Sequence, residues 1–189
     1  MVSKQDDRTE ETIVCDISVY IKNIRRWTLE NNVSGFLTTA FLEQLPYTLT
    51  DAQKRVIDEI LTDLKKDLPM HRLLQGDVGS GKTVVAVTAL LSAVQGGHQG
   101  AFMAPTEVLA EQHFLGISDL LQNVNVEDDS TLLGQRPLRV ELLTSSASSN
   151  QRKLIVEKLA NGGVDMVVGT HALIQDEILF SSLGVVVID

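Results

Sequence analysis

The apolar positions of this chain switch between two periods. From residue 50, Val56, Ile57, Ile60, Leu61, Leu64 and Leu68 recur at three- and four-residue spacing, which places them on one face of a helix. Thr50 and Gln53 spell a capping box at its start, and Pro69 stops it. Arg72-Leu73-Leu74-Gln75 then reads as a short buried strand, and residues 84–94 as an apolar helix. The alternation continues with a strand over 100–105 and a helix over 106–121, with Thr106 in the N-cap position. Residues 122–137 are polar and acidic, with Glu127, Asp128 and Asp129 adjacent, and read as a long surface loop. A third strand covers 138–144. Ser148 and Gln151 form a second capping box, for a helix ending near Leu159. Strands four and five cover 164–169 and 183–188. This order predicts an α/β fold: a doubly wound parallel sheet with helices on both faces, which binds ligands at the carboxyl ends of its strands. Residues 1–45 break the pattern. They carry scattered charge, Trp27 and two short apolar runs, Ile13-Val14 and residues 33–37, and read as an N-terminal arm or the remnant of an upstream domain. Pro46 marks the entry to the main domain, 46–189.

Composition narrows the picture. Aromatics are only 4% of residues against 43% hydrophobic overall, as expected for layers packed with Val, Leu and Ala. The net charge of −9 argues against a large basic nucleic-acid surface on this chain alone. It leaves room for local phosphate contacts from backbone amides and hydroxyls. No apolar run approaches the roughly 18 residues of a membrane span, so no membrane partner is expected. The polar start does not read as a secretory signal. Cys15 is the only cysteine, which excludes an intrachain disulfide and a cysteine-based zinc site. A cytoplasmic setting suits these features.

The chemistry sits in Gly76-Asp77-Val78-Gly79-Ser80-Gly81-Lys82-Thr83, which matches G-x-x-x-x-G-K-[ST] at every fixed position. A strand before it and a helix after it supply the context in which backbone N–H groups cradle phosphates. Lys82 would reach the terminal phosphates, and the Thr83 hydroxyl would ligate Mg²⁺. The plainer reading is a flexible glycine turn. The last apolar strand closes on Asp189, where a nucleotide hydrolase places a carboxylate that holds the same Mg²⁺ through water; the plainer reading is an ordinary strand-end Asp. A residue that orients the attacking water would fall naturally just after it. The sequence stops at Asp189, so good nucleotide binding with poor hydrolysis is expected of this chain alone.

These motifs together resemble the RecG-like ATP-dependent DNA helicases of superfamily 2. Residues 68–83 look like motif I of that family. Ala104-Pro105-Thr106-Glu107-Val108-Leu109-Ala110-Glu111-Gln112-His113 looks like motif Ia. Val168-Gly169-Thr170-His171-Ala172-Leu173-Ile174 looks like motif Ib, and Val185-Val186-Val187-Ile188-Asp189 like the start of motif II, which in the family continues Asp-Glu-x-His. Leu49-Thr50-x-x-Gln53 resembles the upstream glutamine motif. The resemblance covers about residues 40–189. It implies a RecA-like P-loop NTPase lobe, the first of two motor lobes, with Lys82 and Asp189 in the catalytic machinery and ATP and Mg²⁺ as cofactors. It implies that Gln53 contacts adenine, a role that competes with helix capping. Pro105, Thr106, Glu107, Thr170 and His171 would lie on a DNA-facing edge, although Thr106 also reads as a simple N-cap and His171 as an ordinary surface residue. The implied partners are branched DNA, as forks or junctions, and a second helicase lobe.

Two other readings compete. A noncatalytic nucleotide-binding module would act through a partner. A small P-loop kinase needs an arginine-bearing lid, but the arginines after Lys82 are Arg136, Arg139 and Arg152, and none lies in a glycine-framed lid pattern.

Overall fold

The structure, a computed structural model, describes residues 13–19, 36–66, 68–77, 79–128 and 131–189. Trp27 and Val78, and the apolar run 33–37 up to Gly35, lie outside the described residues. In chain order the elements are β1 (Ile13–Val19), α1 (Phe36–Gln44), α2 (Asp51–Leu64), β2 (His71–Gly76), α3 (Lys82–Gln95), β3 (Gln99–Met103), α4 (Glu107–Leu121), β4 (Asn125–Glu127), β5 (Gln135–Pro137), β6 (Val140–Leu143), α5 (Ser149–Asn161), β7 (Met166–Gly169), a 3₁₀ turn (His171–Ile174) and β8 (Leu183–Ile188).

Six strands form one sheet in the order β2-β1-β8-β3-β7-β6. β8, β3, β7 and β6 pair in parallel, as the alternating pattern predicts. β1 does not fit that prediction. It lies between β2 and β8 and runs antiparallel to both, pairing Ile13 with Gly76 and Asp16 with both Leu73 and Ile188. The sheet is therefore mostly, not wholly, parallel.

Side chains alternate between the two faces, as strand geometry demands. Phe102, Met166, Val168, Val185 and Val187 face the larger core, which α1, α2, α3 and α4 cover. Ala101, Val167 and partly buried Val186 face the other side, packed by Ile155 and Leu159 of α5 and by Leu173 and Ile178. α3 is apolar all round because it is central: every residue from 84 to 94 is buried. Its two interior hydroxyls stay satisfied within the helix, Thr88 Oγ1 donating to Val84 O and Ser92 Oγ to Thr88 O. Leu37 and Phe41 of α1 belong to the same core.

Residues 122–137 are not a plain loop. β4 and β5 form an antiparallel hairpin. Val124 and Val126 insert into the core beneath it. Arg136 bonds Asp128 at 2.9 Å and clamps Asp165 through both terminal nitrogens at 2.6 and 2.8 Å. One arginine thus pairs with Asp128 of the acidic run and ties the hairpin to the start of β7. The Asp165 carboxylate, in turn, holds the Arg136 guanidinium still more firmly protonated.

Candidate nucleotide-binding site

The phosphate loop, Asp189, Pro105 and Thr170 all follow the carboxyl ends of strands, so the fold gathers them on one edge. β2 runs into the loop, and α3 starts at Lys82 straight after it. Gly79 and Gly81 both adopt φ of +80°, a left-handed turn that an L side chain resists. Gly81 is the N-cap of α3 and offers no side chain to it. The first amides of the helix are therefore left for an anion. Lys82 folds back onto the loop, its Nζ donating to Gly76 O at 2.6 Å and Asp77 O at 2.8 Å. An ammonium held by two carbonyls can transfer those bonds to phosphate oxygens without first being desolvated.

Gln53 joins the site by a route its sequence position does not disclose. Its Oε1 accepts from Thr50 N at 2.8 Å, and Thr50 Oγ1 accepts from Gln53 N at 3.2 Å, completing the capping box. Its Nε2 then donates to Ser80 O at 2.8 Å, clasping the phosphate loop. One side chain thus caps α2 and bonds the phosphate loop.

Asp189 continues the β8 ladder, its N–H donating to Met103 O at 2.9 Å. Its carboxylate Oδ2 lies 2.7 Å from His113 Nε2. His113 received no role from the sequence. The only available signal was its place in the 104–113 run, seven residues after Thr106 and so two turns along the same helix face.

The strand ends that carry the expected DNA-facing residues are neighbours. β3 and β7 are neighbours, Met103 pairing with Gly169, and Ala104 N donates to Gly169 O at 2.8 Å. Pro105 and Thr106 are exposed, and Glu107 is half-buried. Thr106 Oγ1 caps α4 by accepting from Leu109 N. Thr170 differs. It is 1% exposed, and its hydroxyl accepts from Ala172 N inside the 3₁₀ turn, whereas His171 is exposed. On this edge a phosphate could meet Thr106 or His171, but not the Thr170 hydroxyl.

The residues present suit a nucleotide-bound magnesium ion. Thr83 and Asp189 supply hard oxygen donors, and no group of three or more His, Cys, Asp or Glu able to cage a metal occurs among the described residues. Mg²⁺ is ordinarily held this way, by one or two protein oxygens together with substrate phosphates. A cavity of about 630 Å³ lies instead at the amino ends of the strands, lined by His98, Gln99, Arg136 and Asp165. Its polar groups are engaged with one another: His98 Nδ1 pairs with Ser182 Oγ at 2.7 Å, and Gln99 bonds Leu159 O, Val164 O and Ser182 N. Burial lowers the His98 pKa and favours its neutral form.

A mostly parallel sheet with a glycine loop between its edge strand and a buried helix defines a P-loop nucleotide-binding lobe. The family model for DEAD/DEAH box helicases matches residues 50–189, and the chain belongs to that family. It is similar to the ATP-dependent DNA helicase RecG of Synechocystis, 50% identical over 155 residues, covering 82% of this chain and 17% of the relative. RecG of Aquifex aeolicus is 47% identical over 158 residues, covering 84% and 18%. A solved structure of RecG bound to a three-way DNA junction superposes with a TM-score of 0.68 at 41% identity, over 78% of this chain and 18% of that one. The chain thus spans under a fifth of the length of these relatives. No helix among the described residues is long and apolar enough to cross a membrane.

Proposed function

We propose that this chain is the ATP-binding motor lobe of an ATP-dependent DNA helicase that remodels branched DNA, forks and junctions, in recombination and repair. The carrying observation is the phosphate loop: Lys82 parked on two loop carbonyls, two left-handed glycines and an uncapped helix start. Similarity to RecG, together with a structural neighbour on a three-way junction, supports the choice of nucleic acid. Residues 46–189, with β1 in the same sheet and α1 in the same core, form the nucleotide lobe. The loop amides and Lys82 bind the phosphates of ATP, and Thr83 and Asp189 hold Mg²⁺, which would neutralise phosphate charge. An amide nitrogen carries two protons. One of those on Gln53 serves Ser80, and the other serves adenine. Pro105, Thr106, Glu107 and His171 form the edge that meets the DNA backbone, and the setting is cytoplasmic.

The decisive measurement is calorimetric titration of MgATPγS into the chain and into Lys82→Ala. Loss of a charge-assisted contact predicts affinity about 10- to 100-fold weaker in the variant. Equal binding by both proteins would remove the phosphate-site reading. Tested alone on forked DNA, the 189-residue polypeptide should bind nucleotide but displace no strand, because a helicase stroke needs a second lobe to close on the nucleotide. Strand displacement by the pure chain would contradict this.

A further inference from the structure

We propose that His113 is a positioning residue for the cation-binding carboxylate: its imidazole fixes one oxygen of Asp189 and leaves the other to face a divalent cation bound with the nucleotide. The inference rests on the reading of the phosphate loop as a nucleotide site. His113 Nε2 and Asp189 Oδ2 are 2.7 Å apart, and the side chains are only 19% and 17% exposed, so water competes poorly for the bond. An ionised carboxylate accepts only, so Nε2 carries the proton and donates it.

The imidazole is itself held in place. Its ring packs on Phe102 with centroids 4.4 Å apart and planes tilted by 42°. Phe102 is 2% exposed and sits on β3, opposite Val187 of β8. The next residue of β3, Met103, accepts the Asp189 N–H. Two successive residues of one strand therefore fix both the backbone of Asp189 and the ring that orients its side chain. Outer partners of this kind orient metal ligands, and their loss typically costs about 10- to 100-fold in metal affinity. The arrangement also joins the exposed edge to the cation site, because α4 carries Thr106 at its N-cap and His113 two turns on.

Two variants separate this role from simple packing. His113→Phe keeps an aromatic ring on Phe102 but removes the donor; His113→Gln removes the ring but keeps an N–H that can reach the carboxylate. ATPγS affinity is measured for each, with Mg²⁺ and with EDTA, and Asp189→Asn sets the scale of the Mg²⁺-dependent tightening. His113→Phe should bind as the parent does in EDTA and lose about tenfold of the tightening, whereas His113→Gln should retain most of it. Full tightening in His113→Phe would overturn the proposal. So would equal losses in both variants with and without Mg²⁺, the mark of a purely structural tie. A parent chain that fails to bind ATPγS under either condition would overturn the nucleotide-site reading and this inference with it. A parent that tightens with Mg²⁺ beside a His113→Phe that does the same would overturn this inference alone.

Discussion

Two helices of this chain start with nearly the same sequence device and put it to different use. Thr50 and Gln53 open α2, and Ser148 and Gln151 open α5, each as a reciprocal capping box. At α5 the device stays local: Gln151 Oε1 accepts from Ser148 N at 3.3 Å and from Ser148 Oγ at 2.9 Å. At α2 the same amide turns its nitrogen outward to Ser80 O, 27 residues away in sequence. The local pattern fixes where a helix begins. Whether its glutamine also serves a site depends on which loop the fold brings alongside, and here that loop is the phosphate loop.

Gly81→Ala should break the comparison most severely. A Cβ at Gly81 would come within contact of Gln53 Nε2, and φ of +80° is costly for any L residue. Stability should fall by about 1–2 kcal/mol and nucleotide affinity by more than about tenfold, read by chemical denaturation and calorimetry. An alanine variant that binds as the parent does would make the clasp incidental. Next in size is the matched pair Gln53→Ala and Gln151→Ala. Both should lose about 1 kcal/mol of stability with their capping bonds. Only Gln53→Ala should also bind nucleotide about 3- to 10-fold more weakly, one hydrogen bond's worth. Equal affinities would show that the two boxes do the same job after all.

The smallest effect concerns the far end of α2. There Asp63 accepts from Lys66 Nζ and from Arg72 Nε of β2, both at 2.6 Å. Those bonds, Lys66's foremost, hold the Asp63 carboxyl below its ordinary value of 3.8. A depressed carboxyl stabilises the fold fully above that ordinary value, and the contribution disappears as pH falls through the lower, folded-state value. Asp63→Asn should cost under about 1 kcal/mol at neutral pH, because Lys66 and Arg72 are partly solvated. It should flatten the acid limb of the stability curve and leave nucleotide affinity within about twofold. A larger affinity loss would mean that α2 must be pinned at both ends for Gln53 to reach the loop.

Elements with a repeated period were legible from residues alone. α2 has its stripe of Ile57, Ile60 and Leu64, and β8 its run of Val185 to Val187. The motif strand and α3 followed from the glycine pattern between them. Elements too short for a period were not legible. β4 and β5 carry three residues each, and their one clue, Val124 and Val126 facing the core, is outweighed by the adjacent acids, of which Asp128 pairs with Arg136. β1 is not legible in the sequence because its place depends on backbone pairing with strands far along the chain, which no local pattern records. The site divides in the same way. Residue types that a phosphate demands stood out, but Thr106 and Thr170 looked alike as threonines after strands, and only packing shows that one is exposed and the other sealed. His113 carries no sequence signal of its own, because a histidine in a helix means little until its neighbour is known.

The position of β1 also bears on the order in which the chain can assemble. Its partners on one side come from residues 71–76 and on the other from 183–188. During synthesis the antiparallel pairing with β2 can form once residues 71–76 have emerged, while the opposite edge of β1 waits for residues 183–188. Contacts of such long sequence separation close slowly, and an unpaired edge is open to wrong partners meanwhile. The strand that joins the phosphate-loop edge to the rest of the sheet is thus made well before its second partner, so until residues 183–188 are in place the nucleotide loop rests on a two-stranded flap.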